Sequence, residues 1–260
     1  MTRTISQNGI ALVTGASRRI GIGTAICKAL AAKGMDVAFT YWHPYDQQMD
    51  WGTDKDAPDL LTAELQAMGV RCVALSADLS RVDTPAKVLN EVEQQLGSVS
   101  VLVNNAAYSV NGDYQQLDAQ SLDAHYAVNI RGTFLLSVEF ARRFKAGRGG
   151  RIINMTSGQS VGPMPDELAY AATKGAVEAF TLSLAGGIAK LGITVNAVDP
   201  GATDTGWMNP ELKEMIRQRM PSGRVGLPED AARLVAFLAS EEAEWITGEV
   251  IHSRGGLGWA

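Results

Sequence analysis

Along this chain, short runs of continuously apolar residues alternate with longer stretches in which apolar residues recur at helical spacing. GIALVTG leads into a helix predicted from about Ile20 to Lys33, DVAFTYW into one around Leu60 to Met68, RCVALSAD into one near Pro85 to Leu96, and VSVLVNNA into a long one near Leu122 to Phe144. GRIINMTS precedes a helix from about Ala169 to Leu191, then comes ITVNAVDPG, and GEVIHSRGG follows a helix at Pro228 to Ala239. Strands that are apolar at every position, rather than at alternate ones, are buried on both faces, which implies a parallel sheet covered by helices on each side. Seven such strands and about six main helices predict one α/β domain over residues 1 to 260, doubly wound, with ligands beyond the carboxyl ends of its strands.

Composition changes this picture little. Hydrophobic residues make up 46%, and no Ser/Pro-rich linker or repeat divides the chain. No run of roughly 18 apolar residues occurs, and the start MTRTISQNG lacks the apolar stretch of a signal peptide, so a soluble, cytoplasmic protein without membrane association is expected. A net charge of −5 with both signs interspersed argues against a nucleic-acid surface. The cluster Arg142, Arg143, Lys145, Arg148 and Arg151 reads as a solvated helix end. Cys27 and Cys72 lie far apart in apolar surroundings and read as small buried hydrophobes. With His43, His125 and His252 scattered, no metal site is expected.

Candidate chemistry lies at three junctions. TGASRRIG, residues 14 to 21, follows a strand and opens a helix, so backbone N–H groups and the helix dipole there can hold a pyrophosphate. The second strand ends FTYWHP, without the acidic residue that often grips a ribose 2′-hydroxyl, so a 2′-phosphate meets no carboxylate at Tyr41 or Trp42. In AYAATKGA, Tyr170 and Lys174 stand at i and i+4 on one helix face, and Ser157 precedes Tyr170 by thirteen residues at the end of a strand.

Taken together, these motifs resemble the short-chain dehydrogenase/reductase family over essentially the whole length. TGASRRIG looks like its TGxxxGxG loop, with Gly15, Ser17, Arg18, Ile20 and Gly21 at the cofactor and Arg19 in place of the middle glycine. Asp78 and Leu79 in SADL match the segment that holds adenine, and Asn105 and Ala106 fall in NNAA, which matches NNAG. Asn129, Ser157, Tyr170 and Lys174 match the catalytic tetrad, while Pro200, Gly201 and Thr203 match the turn beside the nicotinamide. The resemblance implies a Rossmann fold, NADP(H) as cofactor, and reduction of a ketone or aldehyde, 3-oxoacyl thioesters among the candidates, with an acyl-carrier protein as a conceivable partner. It also implies a homotetramer, whose interface would cover Leu135, Val138, Ala176 and Phe180, with Gly186 and Gly187 allowing close helix approach.

In that reaction Tyr170 donates the proton, Ser157 orients the carbonyl oxygen, and Asn129, by resemblance, holds a relay water. Lys174 and the oxidised nicotinamide, both positive, favour the phenolate and bring the Tyr170 pKa toward working pH. Arg18 and Arg19 both face the 2′-phosphate on this reading. Tyr108, Gln159, Met164, Trp207 and Met208 lie in segments expected to wall the pocket. The alternatives are a pteridine-reductase-like enzyme, whose relatives also carry arginine in the loop but aspartate at the position of Ser157, and a non-catalytic NADP-binding sensor. One segment departs from the family: residues 43 to 59, HPYDQQMDWGTDKDAPD, form a longer connection than usual, readable as a solvent loop or an acidic lid.

Overall fold

A computed structural model describes residues 9–256. The chain runs β1 (Ile10–Val13), α1 (Ile22–Ala31), β2 (Asp36–Tyr41), α2 (His43–Asp46), α3 (Ala57–Ala67), β3 (Cys72–Ser76), α4 (Thr84–Gln95) and β4 (Val101–Asn104). It continues through α5 (Ala119–His125), a π-helical segment (Tyr126–Gly132), α6 (Thr133–Arg143), β5 (Gly150–Met155), α7 (Leu168–Ile188), β6 (Ile193–Asp199), α8 (Pro210–Arg219), α9 (Pro228–Leu238) and β7 (Val250–His252). The strands form one parallel sheet in the order β3-β2-β1-β4-β5-β6-β7, a Rossmann fold as expected. After β3 the chain crosses back to place β4 beside β1, so the loops leaving β1 and β4 diverge and open a crevice.

The sheet is buried on both faces because alternate residues of one strand feed two cores. Ala11 and Val13 pack with Ile26 and Leu30 of α1, Leu61 and Leu65 of α3, and Val235 of α9. Ile10 and Leu12 pack on the other side with Val88 and Leu89 of α4 and Leu136 and Phe140 of α6. The long helix expected from Leu122 to Phe144 is broken by the π segment, which shifts the helical register just where Asn129 sits. The connection after β2 also differs from a plain solvent loop, since it contains α2 and buries Asp46.

Several surface expectations change. Arg151 is buried on β5, where its guanidinium donates to the Ser240 carbonyl, and Arg143 pairs with Glu93 and Glu139, so the basic cluster is not one solvated helix end. A side chain at Gly186 or Gly187 would meet nothing within 4 Å, so within the chain neither glycine serves a close helix approach. Cys27 and Cys72 are free, and burial raises both thiol pKa values, that of Cys72 to about 11. Among the described residues no helix is long and apolar enough to cross a membrane.

Candidate active site

The loop after β1 is shaped by backbone crowding. Gly15 has φ +76°, and a Cβ there would lie 2.6 Å from the Ala106 Cα of the loop after β4. A Cβ on Gly23 would lie 2.5 Å from the Gly15 carbonyl oxygen. Helix α1 begins at Ile22 with Gly21 as its N-cap, so the glycines that shape the phosphate turn are Gly15, Gly21 and Gly23. Arg19 therefore does not replace the middle glycine. The turn instead carries two extra residues, closed by the Gly21 N–H donating to the Arg18 carbonyl at 3.0 Å.

This bulge separates the two arginines. Arg18 turns inward, donates to the Thr205 carbonyl, and lies 4.4 Å above the Trp51 ring. Arg19 turns outward to Glu64 of α3 at 3.4 Å and does not border the crevice, and Ile20 is exposed beside Gly206. Burial pulls the Arg18 pKa down, and the nearby Asp46 and Tyr45 push it back up.

The crevice is a cavity of about 610 Å³. Gly15, Ser17, Arg18 and Gly21 border it on the β1 side, Tyr41 and Trp42 at the end of β2, and Asp78 and Leu79 after β3. Asn105 and Ala106 border it after β4, and Tyr170 stands at its far end. The Trp42 N–H donates to Ser17 Oγ at 3.2 Å, tying two of these loops together. Asp78 Oδ1 accepts from the N–H and hydroxyl of Ser80 at 2.9 and 2.6 Å. The side-chain amide of Asn105 donates to the carbonyls of Thr14 and Gly15, both at 2.9 Å.

Tyr170 and Lys174 lie one turn apart on α7, with the Lys174 ammonium 5.3 Å from the centre of the Tyr170 ring. Lys174 is buried, donates to the Met155 carbonyl at 2.8 Å, and has its pKa lowered by burial to about 8. Burial raises the Tyr170 hydroxyl far above the ordinary tyrosine value, Glu167 adds to this, and a hydrogen bond with Ser157 opposes it. In the cofactor-free protein the shift of Tyr170 is upward, set first by desolvation. Asn129 is also buried. Its amide N–H groups donate to the Tyr108 carbonyl (2.8 Å) and to Thr173 Oγ1 (3.0 Å), and its Oδ1 accepts from the Tyr108 N–H (2.7 Å).

Other expected residues stand apart from the cavity. Pro200 borders a separate cavity of about 180 Å³, Gly201 packs against Arg254, and the Thr203 hydroxyl donates to the Pro200 carbonyl at 3.0 Å. From this turn region it is Thr205 that reaches the main cavity. Of the five residues expected to wall the pocket, Tyr108 does so, whereas Gln159 is held by Glu178 at 2.6 Å and Trp207 by the Thr203 carbonyl at 3.0 Å. Sequence reasoning missed Tyr45, Asp46 and Trp51. All three border the cavity from the 43–59 segment, and the only cue was that segment's extra length.

Comparison with known proteins agrees with this geometry. Residues 15–258 match the family model described as enoyl-(acyl carrier protein) reductase. An uncharacterised oxidoreductase of Bacillus subtilis, YjdA, is 53% identical over 254 residues, covering 97% of this chain and 98% of the relative. The 3-oxoacyl-[acyl-carrier-protein] reductase FabG of Staphylococcus epidermidis is 37% identical, covering 96% and 99%. A short-chain dehydrogenase from Burkholderia cenocepacia, solved in complex with NADP, superimposes with a TM-score of 0.86 at 34% identity, covering 98% and 99%. With its sheet order, its glycine-lined crevice and its Tyr170–Lys174 pair, the chain belongs to the short-chain dehydrogenase/reductase family of oxidoreductases.

Proposed function

We propose that this oxidoreductase uses NADP(H) to reduce a ketone or aldehyde to the alcohol, reversibly, with Tyr170 as the proton donor. The observation that carries this reading is the single cavity joining the glycine-rich turn to Tyr170, with buried Lys174 one helical turn behind it. The fit to a dinucleotide rests on the Gly15 and Gly23 contacts, which leave the turn free of side-chain bulk, and on Arg18, a cation held inside the cavity. NADPH, when bound, supplies the hydride. The Burkholderia cenocepacia relative, solved with NADP, supports this choice of cofactor.

The chain's own residues handle the proton. A carbonyl that accepts hydride develops negative charge on oxygen and needs a hydrogen-bond donor and a proton. Tyr170 is the donor on this reading: burial keeps it protonated in the cofactor-free protein, and the neighbouring Ser157, which pulls its pKa down, would orient the same oxygen. Lys174 has one N–H on the Met155 carbonyl and retains others for ribose hydroxyls. Both N–H groups of Asn129 are engaged, so its part is to hold the loop at Tyr108, with one Oδ1 lone pair left for a water. The FabG relative makes 3-oxoacyl thioesters, presented on an acyl-carrier protein, one substrate class to test beside simple ketones and aldehydes.

We also propose a homotetramer. Leu135 is 40% and Leu182 65% exposed on α6 and α7, beside a stacked Phe134–Phe180 pair, which leaves an apolar face for another copy to cover.

Five outcomes test these readings. Tyr170→Phe lowers carbonyl-dependent NADPH oxidation by about 10²–10⁴-fold while cofactor affinity, titrated by fluorescence, stays nearly constant; near-normal turnover would remove Tyr170 from the mechanism. Arg18→Ala weakens NADPH by about tenfold or more, from a charge-assisted bond of about 1.5–3 kcal/mol, and NADH by less. Arg19→Ala affects both cofactors little, since an exposed pair contributes about 0–1 kcal/mol. Equal losses of both cofactors in Arg18→Ala would move that side chain from the 2′-phosphate to the pyrophosphate.

The fourth outcome concerns pH. Lys174 titrates near 8 when folded and near 10.5 when unfolded, so between these values the unfolded chain binds more protons and folding stability rises with pH. In denaturant titrations of the cofactor-free protein, that rise disappears in Lys174→Met. Finally, light scattering gives a mass near four times 27.7 kDa, and a monomer mass would contradict the tetramer.

A further inference from the structure

Helix α7 carries a third polar residue on the side that holds Tyr170 and Lys174. Tyr170, Lys174 and Glu178 stand at i, i+4 and i+8, so successive members lie one above the other along the helix. The proposed reaction leaves Glu178 without a part. Its Oε1 accepts from the Gln159 side-chain amide at 2.6 Å, from Thr156 Oγ1 at 3.0 Å and from Ser160 Oγ at 3.2 Å. These donors stand on both sides of Ser157 in the chain, so one carboxylate oxygen gathers the backbone before and after the residue proposed to orient the carbonyl.

The approach to Ser157 is also fixed by the sheet. The Thr156 N–H donates to the Val198 carbonyl of β6 at 2.9 Å, and Lys174 donates to the Met155 carbonyl at 2.8 Å. Beyond Ser157 the strand has ended, and Gly158–Ser160 form a single 3-10 turn, closed by the Val161 N–H on the Gly158 carbonyl at 3.0 Å. Such turns have poorer hydrogen-bond geometry than an α-helix. Ser160 and Val161 are exposed, so apolar burial does little to hold this turn. The bonds from Gln159 and Ser160 to Glu178 tie it back to α7, and hydrogen bonds to a carboxylate are the strong kind.

We propose that Glu178 is a positioning residue: by holding the segment from Thr156 to Ser160 against α7, its carboxylate sets where the Ser157 hydroxyl stands relative to Tyr170 on the same helix. The inference rests on the carbonyl-reductase reading above and adds to it a residue that does not border the cavity. A misplacement of about 1 Å at a reacting group can cost about 10²-fold in rate, so the loss of Glu178 is read in kcat and not in cofactor binding.

The test uses the full-length protein with NADPH and whichever of benzaldehyde, cyclohexanone and acetoacetyl-CoA the wild type reduces fastest. Glu178→Ala lowers kcat by about 10–100-fold, while KM and the NADPH dissociation constant stay within about twofold of wild type. All three bonds fall on Oε1, so Glu178→Gln keeps the acceptor and restores kcat to within about threefold of wild type. In a Ser157→Ala background, Glu178→Ala changes the residual kcat by less than about twofold, because the group it positions is already gone. Should Glu178→Ala fold poorly, or Ser157→Ala turnover fall below detection, the paired change Gln159→Ala with Ser160→Ala cuts the same tie from the turn and gives the same loss of kcat with KM unchanged. Equal losses from Glu178→Ala in the wild-type and Ser157→Ala backgrounds overturn the proposal, as does full kcat in the Gln159/Ser160 pair. Ser157→Ala protein as active as wild type, or wild type that reduces none of the three compounds, defeats the underlying reading and this inference with it.

Discussion

The organisation of this protein depends on how closely three backbone segments meet beneath the crevice. The turn after β1, the start of α1 and the loop after β4 come so near one another that a methyl group on Gly15 or Gly23 would overlap main-chain atoms. Asn105 fastens the same junction by donating to the Thr14 and Gly15 carbonyls. Overpacking of this kind in a close-packed interior destabilises by about 1–3 kcal/mol, and here it would push apart the elements that define the cavity. The crevice is therefore a product of the sheet's strand order and of missing side chains, with the functional groups added at its rim.

Behind that rim, polar side chains hold the central strands in register. Asn104 on β4 donates to Ser137 on α6 (2.9 Å) and to Asn154 on β5 (2.8 Å), and Asn154 donates to Thr181 on α7 (2.9 Å). All four are buried, so each group without a partner would carry a desolvation penalty of about 1–3 kcal/mol. A slip of β4 against β5 or of α7 against the sheet would break several of these bonds together. Through α7, the same ladder fixes the height of Tyr170 and Lys174 above the strand ends.

Much of this was legible in the sequence, for physical reasons. Continuous apolar strands, their alternation with helices and the i, i+4 spacing of Tyr170 and Lys174 are local patterns, and the seven-strand sheet and the α7 pair follow from them. The phosphate turn was less legible, because TGASRRIGIG offers three glycines and only packing against Gly15 shows that Gly23, not the position of Arg19, makes the close contact. Asp46 and Tyr45 were missed because their place in the cavity comes from the path of the 43–59 segment over the crevice, a long-range result with no local signature. The π segment at Asn129 likewise carries no mark in YAVNIRG that separates it from an ordinary helix.

The absence of an acidic residue at Tyr41 and Trp42 suggested a site free of carboxylates near a 2′-phosphate. The structure returns one from further along the chain, since Asp46 is buried in the cavity wall and acts on the charge of Arg18. The half-buried Arg18 guanidinium is favoured in the cavity by the nearby Asp46 charge and by the Trp51 ring that covers its face. The same carboxylate would repel a phosphate that approached it directly, which restricts an anionic group to the side of Arg18 facing the glycine turn. Because α2 carries both Asp46 and Tyr45, the charge beside Arg18 and the tie to the loop after β4 are held by one short element. A substitution confined to Arg18 would change the cation in the cavity alone, whereas one that moves α2 would also release the Ser109 tie next to Tyr108, the residue that Asn129 holds on both sides of its peptide.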